Sequence, residues 1–554
     1  MPEFMKMHKN NSTSECSNTA RWLGGITRKG RKFIIFIFII IIITHSNNCL
    51  CQAGKIDSTF SDDGRATVFT GGGATDVIIQ PNGKIVIGGN STDSYYALAR
   101  FNSNGTLDSS FSSDGKVKTH VGIGFNIGGE LLLQPDGKIL FAGDCETNSG
   151  GRDFGLARYN SNGTLDNSFN GSGIITTSFA TSNNDDGGLC IALQSDGKII
   201  QTGDRSTTAF AAIRFNTNGT IDNSFGNSGK ILIPIGDFIC ECNSICIQSD
   251  GKILLGGYSR STTLWKSAFA IMRLNSNGSL DNTFGVGGKD TIFMSTGGNT
   301  NQNYEYNVGT TMLIQTDGKI LLSGSSTRGS NGFGTIPIIK LNSNGSLDNS
   351  FGIGGKVQYA VPGLEQIRIY SMTLQQDNKI VVVGFIGSID SVSISFLLAR
   401  FNKDGSIDST FGNNGIVLKD ISGADDVLAG LAMQSDGKIV ACGVSAYGME
   451  VVRYLSGLDV GVLDLSVSNN PVFIYPNPIQ SQATLQYTLT KDEQISIELF
   501  DVLGKLVQQF IENETRTAGK HEEVLKLNEL LPSGTYIINI GNGKNSQGVK
   551  IVKE

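Results

Sequence analysis

The chain has 554 residues, of which 71 are Gly, only 10 are Pro and 17% are charged. A net charge of −6 argues against a nucleic-acid surface. The Gly content, with frequent Ser, Asn and Thr, suits many short strands joined by tight polar turns and argues against a helical protein.

The basic run Arg28-Lys29-Gly30-Arg31-Lys32 precedes eleven apolar residues, Phe33 to Ile43. Spanning a bilayer takes about 20 such residues, so a transmembrane helix is not expected. Basic residues, a short apolar core and a small-residue site define a secretory signal peptide. Residues 1–53 are assigned to it, with cleavage between Ala53 and Gly54 after Cys51-Gln52-Ala53. Cys51 as a lipid attachment site is disfavoured, because Asn48 sits where a Leu-like residue is needed.

From residue 54 to about 459 one sentence recurs seven times. Leu/Ile-Asp-x-Ser/Thr-Phe ends on Phe60, Phe111, Phe169, Phe225, Phe284, Phe351 and Phe411. Gln-x-Asp-Gly-Lys-Ile, or a close variant, opens on Gln80, Gln134, Gln194, Gln248, Gln315, Gln375 and Gln434, spaced 54 to 67 residues apart. Such a period marks a repeat architecture. In the first unit, strands are predicted at Arg65 to Phe69, Asp76 to Gln80, Lys84 to Gly88 and Tyr95 to Phe101. Asn-Gly and Asp-Gly between them favour tight turns. A lone four-stranded sheet leaves its faces bare, whereas seven packed radially cover them, so a seven-bladed β-propeller is expected. Strands from both chain ends sharing one blade is an open alternative to seven blades in frame. Gly89, Gly143, Gly203, Gly257, Gly324, Gly384 and Gly443 lie nine residues after each Gln and are expected to let neighbouring blades pack closely.

The repeated Asp57, Asp108, Asp166, Asp222, Asp281, Asp348 and Asp408 sit in loops resembling calcium loops, with a cation (Arg100 and its equivalents) at the first ligand position and Phe111 at the twelfth. Calcium loops want carboxylates there. The expected role is scaffold: an Asx-turn before the Phe, with Arg100, Arg158, Arg214, Arg273, Lys340, Arg400 and Arg453 as ion-pair partners. Asn-Gly-Thr/Ser tripeptides match a glycosylation acceptor but are taken as by-products of the Asn-Gly turn.

Past the signal only His120 and His521 remain, and no nucleophile motif accompanies His120. Cys240, Cys242 and Cys246 match no common zinc spacing, and export favours disulfides or buried thiols. No catalytic, metal or cofactor residues are assigned. The longest departure from the repeat frame, Ser295 to Asn307, carries Tyr304 and Tyr306; with Trp265 these form the candidate ligand-binding loops.

The phrases Leu107-Asp108-Ser109-Ser110-Phe111 and Gln134-Pro135-Asp136-Gly137-Lys138-Ile139 resemble the delta-60 repeat family of bacterial surface and secreted proteins, which implies a propeller and no general enzymatic activity. After a linker at 460–470, residues 471–554 alternate in about seven strands, predicting a small immunoglobulin-like β-sandwich. Its motifs resemble the C-terminal sorting domain (type A) of type IX secretion substrates: Tyr475-Pro476-Asn477-Pro478; Asp501 with Gly504-Lys505; Gly519 with His521; Gly534 with Tyr536. The resemblance implies a Bacteroidetes-type bacterium, the type IX machinery as partner, and an extracellular or outer-membrane-surface destination after periplasmic export. The expected protein is a monomeric, non-enzymatic binding or adhesion propeller with a glycan or protein ligand. The alternatives are a polysaccharide-acting enzyme using non-repeated carboxylates at the propeller channel, or a purely structural surface protein.

Overall fold

The computed structural model describes residues 53–457 and 472–553, apart from 149–150, 180–185, 206–207, 237–238, 262–265, 295–304, 329–332, 363, 365, 388–393, 490, 502–505, 529–530 and 542–545. The signal region 1–52, Trp265, Tyr304, Gly504, Lys505 and the linker 460–470 fall outside them.

Residues 53–457 form seven antiparallel four-stranded sheets. The innermost strands, Gly73–Ile79, Asn126–Leu133, Asp186–Leu193, Ile239–Ile247, Glu305–Ile314, Gln366–Leu374 and Val427–Met433, each touch the next, and the last touches the first, closing a ring. Blades 1 to 7 are numbered by these strands.

The blade boundary is displaced by one strand from the sequence frame. Arg65–Val68 does not join the strands that follow it; it pairs with Gly448–Tyr454, Arg65 opposite Val452 and Val68 opposite Met449. Blade 7 therefore takes three strands from the end of the repeat array and its outer strand from the beginning. Each other blade likewise borrows its outer strand from the next sequence unit, as Lys116–Thr119 completes blade 1 on Tyr96–Phe101.

Middle strands carry no alternation because both faces are covered: all six residues of Tyr96–Phe101 are buried. The cores lie between blades, where Val86, Leu98 and Phe111 pack with Leu131, Phe141 and Tyr159 of blade 2. The seven repeated glycines all work inside their own blade, and only in part as the expected blade-to-blade packing sites: at Gly143 a Cβ would also meet the Tyr96 hydroxyl of blade 1, 2.5 Å away. A Cβ on Gly89 would stand 2.0 Å from the Gly73 carbonyl oxygen, and one on Gly384 1.8 Å from that of Arg368. Each faces the innermost strand of its own blade beside a register shift, as between Ala74 and Asp76, so the glycine accommodates a β-bulge repeated seven times.

The C-terminal domain is a separate two-sheet structure. Phe473–Tyr475, Gln482–Leu489 and Gly519–Lys526 form one sheet; Leu506–Arg516, Glu493–Asp501, Gly534–Gly541 and Ser546–Lys553 form the other. Here strands do alternate, and the buried sets, including Leu485, Ile497, Leu499, Ile538 and Ile551, form one core.

Candidate functional site

Two polar systems stand out, one repeated and one unique. The repeated system explains why the two sequence phrases travel together. Arg100 Nε donates to Asp108 Oδ2 at 2.6 Å, and Lys84 from the Asp-Gly-Lys hairpin donates to the same oxygen at 2.7 Å. Asp108 Oδ1 accepts from the Ser110 backbone N–H and hydroxyl, the expected Asx-turn. The Arg100 guanidinium lies 4.6 Å above the fully buried Phe111 ring and donates through Nη1 to the Ser161 carbonyl of the next blade. One cation thus ties a carboxylate, an aromatic anchor and the neighbouring blade. The arrangement recurs at Arg158, Arg214, Arg273, Arg400 and Arg453, the last gripping Asp57 from the other end of the chain at 2.8 Å.

Burial pushes the Asp108 carboxyl up, but hydrogen bonds from Lys84, Ser110 and Arg100 outweigh it and hold the group well below the ordinary carboxylate range. Asp166 and Asp408 are held at about 2 in the same way. Blade 5 departs from the pattern. Lys340 stands 3.9 Å from Asp348 and 5.6 Å from the Phe351 centroid, and Gln315 Oε1, whose equivalent accepts from Arg in five blades, is buried without a hydrogen-bond partner, as is Gln134 Oε1 in the Arg158 blade. A lone ammonium cannot reproduce a guanidinium fork.

The unique system lies on the innermost strands. Four residues before each marker Gln, just past the bulge, the seven blades present Asp76, Glu130, Cys190, Ser244, Thr311, Ser371 and Gly430. Asp76 Oδ2 accepts from the Leu131 N–H of blade 2 at 2.8 Å, and Glu130 Oε2 from the Ile191 N–H of blade 3 at 2.9 Å. In blade 4 the neutral Ser244 hydroxyl takes this role, accepting from Met312 N–H at 3.1 Å. Burial drives the Asp76 carboxyl far above the ordinary range, against the hydrogen bonds from Leu131 and Val77. Burial, then the charge of Asp76, drives Glu130 upward too. Two neighbouring carboxyls that resist joint ionisation can hold one proton between them. The sequence reading named channel carboxylates as a class without numbering them; comparing the seven units at this one offset finds them.

The other predicted positions are dispersed. His120 packs edge-on against Tyr95, ring centroids 4.9 Å apart. Tyr306 is exposed, on the strand Glu305–Ile314. The described cysteines, including Cys240, Cys242 and Cys246, are free thiols, so the disulfide reading of that cluster is replaced by the buried-thiol one; burial pushes Cys242 and Cys246 up to about 12. A cleft of about 820 Å³ opens among the marker hairpins of blades 2 to 4, lined by repeated residues such as Asp136, Lys138, Gln194, Asp196 and Gln248. In the C-terminal domain, Asn477 Oδ1 accepts from Val552 N–H. Tyr536 donates to the Pro532 carbonyl at 2.8 Å, and His521 stacks on Tyr487 at 5.1 Å. Tyr475 is exposed. Each holds or borders a strand of the sandwich.

The family model described as domain of unknown function (DUF5122) beta-propeller matches residues 80–111, 134–169, 194–225, 248–284, 315–351 and 375–411. Each match runs from a marker Gln to the Phe of the next unit; the seventh such stretch, Gln434 to Phe60, is divided between the two ends of the array. The secretion system C-terminal sorting domain model matches residues 473–554. The chain therefore carries delta-60-like propeller repeats followed by a type IX C-terminal sorting domain, which marks it for export to the cell surface or extracellular space.

None of the curated proteins matches the chain. Among solved structures, PorZ, an essential bacterial surface component of the type IX secretion system of Porphyromonas gingivalis, is 12% identical, with 86% of this chain and 69% of that one covered at a TM-score of 0.30. A polysaccharide lyase, PL25 ulvan lyase, is 10% identical over 71% of this chain and 96% of that one, TM-score 0.37. Drosophila Semaphorin 1a is 11% identical over 70% and 88%, TM-score 0.37. Likenesses this distant carry no functional argument.

Proposed function

We propose that the protein is a non-enzymatic binding or adhesion module whose propeller, about residues 54–459, is carried out of the cell by the sorting domain at 471–554. The observation supporting this reading is that the repeated charged groups are consumed by the blade seams, as Arg100 is by Asp108, Ser161 and Phe111, which leaves ligand contact to residues that do not repeat, among them the exposed Tyr306 on Glu305–Ile314 and the sequence candidates Trp265 and Tyr304, which lie outside the described residues. Aromatic side chains there suit a glycan or a protein ligand, and the passenger acts as a monomer without a cofactor. Saccharide-array and protein pull-down experiments on the exported protein should show binding without turnover. Deleting 471–554 should leave the protein in the periplasm; normal export of that truncation would refute the sorting role.

A second reading rests on the axial pair. Glycoside chemistry can be run by two carboxyls, one protonated and one ionised, and Asp76 with Glu130 is a neighbouring carboxyl pair in which burial raises both groups and the charge of Asp76 raises Glu130 further. Release of reducing sugar from a polysaccharide, lost in Asp76→Asn or Glu130→Gln, would establish it over the binding reading.

A further inference from the structure

Around the ring, the N–H following each Phe anchor donates to a carbonyl in the Asn-Gly turn of the next blade. Ser61 donates to Asn104, Ser112 to Asn162, Asn170 to Asn218, Gly226 to Asn277, Gly285 to Asn344 and Gly352 to Asp404, at 2.6 to 3.0 Å. The seventh, Gly412, donates to the carbonyl of Ala53 at 2.7 Å.

That turn is built from both ends of the array. In the first unit Asn102-Ser103-Asn104-Gly105 is continuous: Asn102 N–H donates to Thr106, Gly105 N–H to Asn102, and the Ser103 carbonyl accepts from an Arg of the preceding blade. In the seventh, Leu455 N–H donates to Lys55, Gly54 N–H donates to Leu455, and the Ser456 carbonyl accepts from Arg400. Leu455-Ser456 supplies the first half and Ala53-Gly54 the second. Gly54 has φ +87°, matching +90° at Gly105, and a Cβ on either would meet the N–H that follows the neighbouring Phe, at 2.8 and 2.5 Å. Ala53 is itself buried in a cluster with Phe411 and Tyr454. A cut between Ala53 and Gly54 would divide this half-turn and remove the seventh acceptor.

We propose that the exported ring keeps Ala53 and Ser456, so that the leader is cut on the N-terminal side of Ala53 and any cut that removes the C-terminal domain falls after Ser456. The inference rests on the reading of residues 1–53 as holding a cleaved leader. The nearest upstream triplet with small residues at its first and third positions is Cys49-Leu50-Cys51.

The test has two arms. Terminal peptides of the secreted protein, read by mass spectrometry, should begin at or before Ala53 and end at or beyond Ser456. A native start at Gly54 or later, an end before Ser456, or an unprocessed leader would overturn the proposal. The second arm compares two chains ending at Glu554 and starting at Ala53 or at Gly54. Amide exchange at Gly412 should be at least about tenfold faster in the shorter chain, with a melting temperature lower by about 2 °C. Equal protection of Gly412 in both would remove the physical basis of the proposal, whereas an uncut leader together with unequal protection would locate the failure in the leader reading.

Discussion

Carboxyls at the blade seams and carboxyls at the axis of the same ring are driven in opposite directions. Asp108, Asp166 and Asp408 meet two cations and an Asx-turn each and are held below their ordinary range. Among the described residues, Asp76 and Glu130 meet backbone N–H donors, each other and neutral neighbours such as the thiols of Cys190 on the third blade, Cys246 on the fourth and Cys442 on the seventh; both are raised. Repetition explains the contrast. A residue present seven times was placed by the demands of a seam, where partners recur with it. A residue present once, on the innermost strand, has no repeated partner to neutralise it.

The comparison can be broken most forcefully at the aromatic anchor. Phe111→Ala removes a fully buried ring beneath Arg100 and should cost about 3–5 kcal/mol, measured by denaturant unfolding. Asp108→Asn keeps the turn acceptor but leaves Arg100 and Lys84 without their shared charge; a loss of about 1–3 kcal/mol is expected. An Asp108→Asn protein as stable as the parent would show that the carboxylate contributes nothing to the seam. Lys340→Arg should have the smallest effect and the opposite sign. A guanidinium can pair closely with Asp348, as Arg does with Asp in the other six blades, and can offer the Gln315 oxygen the hydrogen bond that five of those six make, for a gain of about 1 kcal/mol. No gain would mean that the fork adds little to the other seams either.

Much of the ring was legible in the sequence because its determinants are short-range and recur. The Arg–Asp spacing of eight residues predicts the ion pair that the structure contains, and Asn-Gly and Asp-Gly predict the turns. Other determinants act across distances that one repeat does not display. Lys84 meets Asp108 24 residues later, and Lys438 meets Asp57 only because the ring closes. The glycines signalled a close approach, but not which backbone approached; that needed the bulge. The axial carboxyls were hidden for a different reason. A reading that follows what all seven units share passes over the offset at which they differ. Where alternation is ordinary, as in the C-terminal strands, the sandwich follows from pattern alone.

The most direct measurement of the seam–axis contrast is melting temperature against pH for the parent, Asp108→Asn and the double variant Asp76→Asn/Glu130→Gln. A seam carboxyl with a depressed folded pKa contributes stability that is present above its unfolded value and lost as pH falls through the folded one, so the Asp108→Asn deficit should shrink in acid. An axial carboxyl with a raised folded pKa contributes stability that is full below its unfolded value and lost as pH rises, here between about pH 4 and pH 8, so the double variant should gain on the parent across that interval. Opposite slopes for the two variants are the predicted result; parallel slopes, or an axial variant whose difference from the parent does not change with pH, would contradict it.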